Sequence, residues 1–236
     1  MLTSDSPPKA RLDQISTCWE SIHDPGRFVL RYAPAIARFL RVLVRSPQDA
    51  EDICQEFMVG VITRGLPPAA DVHGRFRNYL IAAVRNAARA FYRRRPPDFK
   101  PMPDLDQIPD TRQPELDIER EWLKSWRQCL LDRVWEALEN HQHKSPGNLY
   151  YLVLRQAAEH PEEDSKTLAA RVRAQTKRGL RPEAFRKQLS RARRKFAALL
   201  VEEVSRTLAL PDPRAIKEEL AELGLMAYVK EILPTI

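Results

Sequence analysis

Glycine is scarce in this chain, with seven in 236 residues. A β-rich fold of this size needs more glycine for its turns, and the long Ala, Leu, Arg and Glu-rich stretches carry helical rather than alternating periodicity. The expected fold class is therefore all-α. Cysteine is scarcer still: Cys18, Cys54 and Cys129 are odd in number and widely spaced, which argues against a disulfide framework or a Cys-based zinc site and leaves them as structural thiols. No run approaches the roughly 18 to 20 uninterrupted apolar residues of a membrane helix. The polar N-terminus lacks the apolar core of a signal peptide, so a cytoplasmic protein without membrane insertion is expected. His141 and His143 have no nearby acidic or thiol companions and read as part of a solvated loop rather than a metal site. Neither a dense carboxylate cluster nor a nucleophile-base pair stands out, so no catalytic residue, metal or cofactor is expected.

What is abundant is positive charge. The formal net charge is +7 and the isoelectric point about 9.5, which favours a polyanionic partner without separating nucleic acid from an anionic membrane surface. Length allows one large or two small domains, and composition favours two. Residues 1–18 are polar and read as a mobile N-terminus, followed by a first domain over 19–96. Within it, helical patterning runs from Arg27 to about Val44. It restarts at Ser46-Pro47-Gln48-Asp49, where Ser46 can cap, Pro47 suits the first turn and Asp49 favours the positive helix end. Gly65-Leu66-Pro67-Pro68 breaks the pattern before a third helix from about Arg75 to Arg95. Six prolines between Pro96 and Pro114, and eight acidic against three basic residues from Asp98 to Glu121, mark 97–118 as a linker. A second domain is expected over 119–206, with a helix at Thr167 to Arg173, a turn holding Gly179 and a basic helix from Pro182 to about Arg206. A C-terminal helical extension covers 207–236.

Three patches carry the functional argument. In Asp49 to Ile62, residues Ala50, Ile53, Cys54, Phe57 and Val61 share one helical face while Asp49, Asp52, Gln55 and Glu56 occupy the other. Alone, such a face is ordinary solvation and N-terminal capping. Residues 75–95 are more specific, holding seven arginines and no acidic residue. There Phe76, Leu80, Ala83, Val84, Ala87 and Phe91 form the face expected to be buried, and Arg75, Asn78, Arg85, Asn86, Arg89 and Arg93 cluster opposite. Arginines neutralise phosphates, asparagine pairs with a base edge, and Tyr79 or Tyr92 serves either core packing or base stacking. The stretch 166–196 holds twelve basic residues and one acidic residue, Glu183, in a pattern that suggests a helix-turn-helix. Leu168, Ala169 and Val172 would bury its first helix and Phe185, Leu189, Ala192, Phe196 and Leu199 its second, leaving Arg186, Lys187, Ser190, Arg191 and Arg194 outward.

The segment Ser46-Pro47-Gln48-Asp49-Ala50-Glu51-Asp52-Ile53-Cys54-Gln55-Glu56-Phe57, followed by Phe76-Arg77-Asn78-Tyr79-Leu80, Arg85-Asn86 and Arg93-Arg94-Arg95, resembles the first conserved domain of extracytoplasmic-function (ECF) sigma factors. Leu168-Ala169-Ala170 and Phe185-Arg186-Lys187-Gln188-Leu189-Ser190-Arg191-Ala192-Arg193 are similar to that family's second, helix-turn-helix domain. The resemblance spans roughly residues 19–200. It implies that Asp49, Asp52, Gln55 and Glu56 contact the clamp helices of bacterial RNA polymerase core. It also implies that Arg77, Arg85, Asn86, Arg89 and Arg93 lie at the promoter -10 element, which that domain recognises and helps to open, and that Arg186, Lys187, Ser190, Arg191 and Arg194 read the -35 element. The acidic linker resembles the connector that threads towards the polymerase active site. Polymerase core and promoter DNA are the implied partners; an anti-sigma factor stays open.

Two departures from the family pattern stand out. Val172 and Phe185 are thirteen steps apart, about six more than a compact turn needs, so either the turn is extended or the first helix is longer. The tail from Val201 to Ile236 outruns a minimal ECF factor and looks similar to the longer factors of planctomycete-type bacteria. Its stripe of Ile216, Leu220, Leu223 and Ala227 suits either intramolecular packing or docking over a DNA-binding face. A stand-alone helix-turn-helix regulator is the alternative reading, and it leaves the acidic helix without a role.

Overall fold

The computed structural model describes residues 25–44, 46–66, 75–95, 113–145, 147–177, 179–230 and 232. The expected N-terminal segment 1–18 and most of the linker, 97–112, lie outside the described residues. Every element among those described is an α-helix, relieved only by one isolated antiparallel bridge between Arg75 and Leu208. This agrees with the all-α expectation.

Three helices open the described chain: α1 (Pro25–Leu43), α2 (Pro47–Arg64) and α3 (Phe76–Arg93). α1 buries Phe28, Tyr32, Ala35, Ile36, Phe39 and Leu43, the three- and four-residue spacing of one helical face. α2 starts as its sequence demands. The Ser46 hydroxyl accepts the Asp49 N–H at 3.2 Å, Pro47 occupies the first turn where its missing N–H costs nothing, and Gly65 takes φ 79° beyond the last turn. These helices belong to a first compact unit, which takes in the residues up to Ser125 and also Ser205–Asp212. Its aromatic core runs from Phe28 to Tyr32 (5.2 Å between ring centres) and from Tyr32 to Phe76 (5.3 Å), and Phe39 meets Trp122 edge-on at 5.1 Å.

The next helix, α4 (Gln113–Lys144), contains the expected boundary after 118 and also carries His141 and His143. Those histidines therefore lie in a last helical turn and not in a loop. The helices that follow are α5 (Tyr150–Glu159), α6 (Ser165–Thr176), α7 (Pro182–Ser205), α8 (Pro213–Glu222) and α9 (Met226–Val229). The second compact unit comprises Trp126–Val204 and the chain from Pro213 onward. At its centre Leu149, Val153, Leu168, Ala169, Val172 and Phe185 form one cluster, joined by Leu180 and Leu189.

Two expectations change in this unit. α6 runs to Thr176, three residues past the expected end, and only Lys177–Arg181 separate it from α7. The long spacing from Val172 to Phe185 thus combines a first helix three residues longer than expected with a five-residue connection. The left-handed stop falls on Lys177 at φ 55°, with its N–H bonded to the Arg173 carbonyl at 2.8 Å, and Gly179 has no positive φ. In the tail, Ile216, Leu220 and Leu223 are buried, but Ala227 is exposed and Leu225 and Val229 take the inward positions. Tyr228 packs at 6.1 Å from Phe196. Three of the four stripe residues are therefore buried in the folded chain.

Candidate nucleic-acid interface

In the first unit an acidic helix, α2, and an arginine-rich helix, α3, meet at their termini. Ser46 caps α2 and so puts Asp49 in its first turn, where the residue is only 9% exposed. Arg95 donates to its carboxylate twice, Nη2 to Oδ1 at 2.6 Å and Nη1 to Oδ2 at 3.1 Å, and the Tyr92 hydroxyl donates to Oδ2 at 3.0 Å. The guanidinium of Arg95 also lies over the Phe91 ring at 4.5 Å. Asp49, expected on the solvated acidic face, is instead withdrawn from it. Its charge is used in full by the end of α3, since a bidentate guanidinium and a phenol satisfy both oxygens. Burial first, then the bond to Asp49 and its charge, push the Tyr92 phenol up to about 12, with Arg95 opposing.

The rest of the acidic face stays at the surface. Gln55 and Glu56 are exposed, Asp52 is half-buried and accepts from Gln48 at 3.3 Å, and Glu51, which lies outside the expected docking set, is exposed beside Arg41 at 3.9 Å. Glu56 is paired with Arg94, both side chains more than half exposed. An exposed pair of this kind contributes about 0–1 kcal/mol. On the buried face of the same helix, Cys54 has its thiol pushed up by burial, against the pull of Arg41. Cys129 is buried; Cys18 lies outside the described residues.

α3 presents a ridge. Asn86, Arg89 and Arg93 lie at the surface, and Arg85 is half-buried with its Nε enclosed and without a hydrogen-bond acceptor among the described residues. Residues 85, 89 and 93 recur every four positions and so stack along one face. Arg77 does not join them. It is 4% exposed and its Nη1 donates to Asn78 at 3.3 Å. The reason lies in the helical period: position 77 stands seven residues before Val84 and eleven before Ala88, both buried, which puts it on the inner stripe. Tyr79 is half-buried, 5.9 Å from the Phe76 ring, and burial raises its phenol to about 12, so its ring serves the core. Between α2 and α3 runs a groove of about 520 Å³ lined by Ile53, Phe57, Val61, Ala83 and Ala87, with Asn86 and Arg94 on its border. Apolar walls beside an amide can receive a planar group and pair with its edge.

In the second unit, Arg186, Lys187, Ser190, Arg191 and Arg194 all lie on the outer side of α7, while Phe185, Ala192 and Phe196 are buried on its opposite face. The expected outward set is thus presented together. Glu183 reaches Arg186 at 3.5 Å. At the start of α6, Asp164 accepts the Thr167 N–H at 2.8 Å, a bond that holds its carboxyl below the usual range. Gln188 lies within the same basic run but turns inward. Its Oε1 accepts the Leu149 N–H at 3.3 Å and its Nε2 donates to the Gly147 carbonyl at 3.4 Å, which holds the start of α5. Its position, three residues after Phe185 and four before Ala192, puts it on the inner stripe of α7. His141 is drawn below the usual histidine value by burial and then by Lys195. No group of three or more metal-ligating side chains is assembled among the described residues, and no helix among them is long and apolar enough to cross a membrane.

Two cationic helix faces on an all-helical scaffold, one of them locked to an acidic helix, are surfaces of a kind suited to a polyanion. The family model described as Sigma-70 region 2 matches residues 28–96, which contain most of α1 and all of α2 and α3. That match supports a sigma factor family and, for this segment, association with RNA polymerase core and with promoter DNA in its recognition and melting. No curated protein and no solved structure matches the chain.

Proposed function

We propose that the protein is a sigma factor of the ECF type, which brings core RNA polymerase to specific promoters and assists DNA opening without chemistry of its own. The observation that carries the reading is the pairing of α2 and α3 inside the matched segment. One surface offers Asp52, Gln55 and Glu56, and the other offers Arg85, Asn86, Arg89 and Arg93. A single rigid pair of helices can thereby hold a protein and a nucleic acid at once. α6 and α7 are read as a helix-turn-helix whose outward Arg186, Lys187, Ser190, Arg191 and Arg194 enter the major groove at the -35 element. A partner of polymerase would act in the cytoplasm.

The test mixes purified protein with bacterial core polymerase on a pool of promoter templates and measures association and specific initiation. Association with initiation at a defined subset of templates is expected. Reversing Asp52 and Glu56 to lysine should weaken association by about tenfold or more, as expected when two close charge contacts turn repulsive, while leaving duplex-DNA binding by α7 nearly intact. Neither association nor initiation, together with specific duplex binding by the protein alone, would reject the sigma-factor reading in favour of a stand-alone helix-turn-helix regulator.

A further inference from the structure

The arginine helix is completed by a piece of chain far downstream of it. α3 begins at Phe76 without a side-chain cap: Arg75 precedes it in extended conformation (φ −90°, ψ 129°), and its side chain makes no capping bond. A helix start leaves several N–H groups that need acceptors from elsewhere. The Arg75 carbonyl takes those of Asn78 and Tyr79 at 3.0 and 3.4 Å, and the Phe76 N–H donates to the carbonyl of Thr207 at 3.0 Å. Arg75 and Leu208 form the antiparallel bridge. Thr207 is 1% exposed, Leu208 4%, and Phe76 is fully buried, so the crossing is an interior contact and not a loop brushing the surface. Ser205–Asp212 accordingly belong to the first unit although they follow the body of α7 in sequence. The match to Sigma-70 region 2 ends at residue 96 and does not include them.

We infer that Thr207 and Leu208 are positioning residues for promoter opening: they anchor the N-terminal end of α3 and so fix the direction in which the ridge of Arg85, Asn86, Arg89 and Arg93 faces DNA. The inference rests on the reading of that ridge as a promoter contact. A helix whose first turn lacks both a side-chain cap and its backbone acceptor frays from that end, and Phe76, the residue bonded to the strap, is the first of the inward positions that set the helix's rotation. Polymerase association, which uses the outer side of α2, has no need of the strap.

The experiment uses the full chain with Leu208→Asp, which puts a charge at a buried apolar site, and Leu208→Ile as the conservative variant. Amide hydrogen exchange is read at Phe76, with Ile53 and Val153 as internal references for the two units. Association with core polymerase and promoter opening are measured alongside. Leu208→Asp should lower protection at Phe76 by about tenfold or more, the scale of a lost terminal hydrogen bond together with its packing, and slow promoter opening severalfold. Association and the reference amides should stay as in the wild type, and Leu208→Ile should restore both protection and opening. If Leu208→Asp unfolds the first unit, Leu208→Ala carries the same test, and across the series opening must fall in step with Phe76 protection. Opening that is unchanged when Phe76 loses protection overturns the inference. Faster opening overturns it too, by making the strap a restraint. A wild-type chain that does not associate with polymerase rejects the functional reading itself, while the exchange at Phe76 still reports whether the strap anchors α3.

Discussion

Replacing Asp49 with alanine separates two roles that one carboxylate could play. If Asp49 were a polymerase contact, as its place in the acidic motif implies, its loss would weaken association and leave the fold untouched. The structure assigns it three hydrogen bonds, two from Arg95 and one from Tyr92. Breaking a fully buried, hydrogen-bonded charge pair from one side costs about 3–5 kcal/mol, because the remaining charge is left uncompensated. The Arg95 side chain keeps 25% of its exposure, so water recovers part of that, and about 2–3 kcal/mol should remain. In an opening equilibrium this is roughly 30- to 160-fold. A single unfolding midpoint is a poor readout for a chain with two compact units, so the assay is residue-level hydrogen exchange. Protection of Ile53, Phe57 and Val84 should fall by that factor in Asp49→Ala while Val153 and Val172 hold theirs. Arg95→Met should cost a similar amount alone and little more when combined with Asp49→Ala. A change below about threefold at the α2 and α3 amides, well under the expected range, accompanied by failure to bind polymerase, would rule out the locking role and return Asp49 to the docking face.

Other consequences can be checked in solution. Alanine at Arg186 and Lys187 should erode upstream promoter discrimination by about 1–3 kcal/mol for each bidentate base pairing removed, measured as the ratio of affinities for cognate and altered -35 duplexes; an unchanged ratio removes α7 from the reading role. Tyr79 and Tyr92 should escape ionisation until the pH approaches 12, whereas an unfolded tyrosine ionises near 10. The folded state then holds protons that the unfolded state has released, so the stability from these groups is complete below about pH 10 and declines between pH 10 and about 12. Ultraviolet titration with parallel exchange measurements tests the pair, and Asp49→Ala should lower the Tyr92 value, since that carboxylate contributes both a hydrogen bond and a charge to its shift. Titration of both phenols near 10 in the folded protein would contradict their burial.

Much of this architecture is legible from local chemistry. Ser46 and Pro47 start α2 where a capping residue and a first-turn proline must, and Gly65 ends it. The outward set on α7 follows from period alone, because a helix that buries Phe185, Ala192 and Phe196 has no choice about where Arg186, Lys187, Ser190, Arg191 and Arg194 point. Arg77 is legible in principle. Its register with Val84 and Ala88 outweighs its charge, and a long aliphatic stem lets arginine occupy an inner stripe. Asp49 is not legible, since its partners lie 43 and 46 positions away on another helix and just beyond its end, and nothing local distinguishes a carboxylate that docks from one that locks. The capping role of the Thr207 carbonyl is illegible for a stronger reason: it is a backbone contact, and side-chain identity does not encode it. The end of α6 is hidden for a different reason again, because the stop falls on Lys177, a lysine in a conformation that glycine usually supplies.

The ion pair between Glu56 and Arg94 makes the two faces of the first unit share their counter-ions. A basic group that arrives at Glu56 sets Arg94 free for a phosphate, and a phosphate that arrives at Arg94 sets Glu56 free for a basic group. Whichever ligand binds first meets the cost of parting the pair, and the second is spared it. Occupancy of one face should therefore raise affinity at the other, by the same factor in both directions. With both side chains more than half exposed, that factor is bounded by a pair worth at most about 1 kcal/mol, or roughly fivefold, and added salt should erase it.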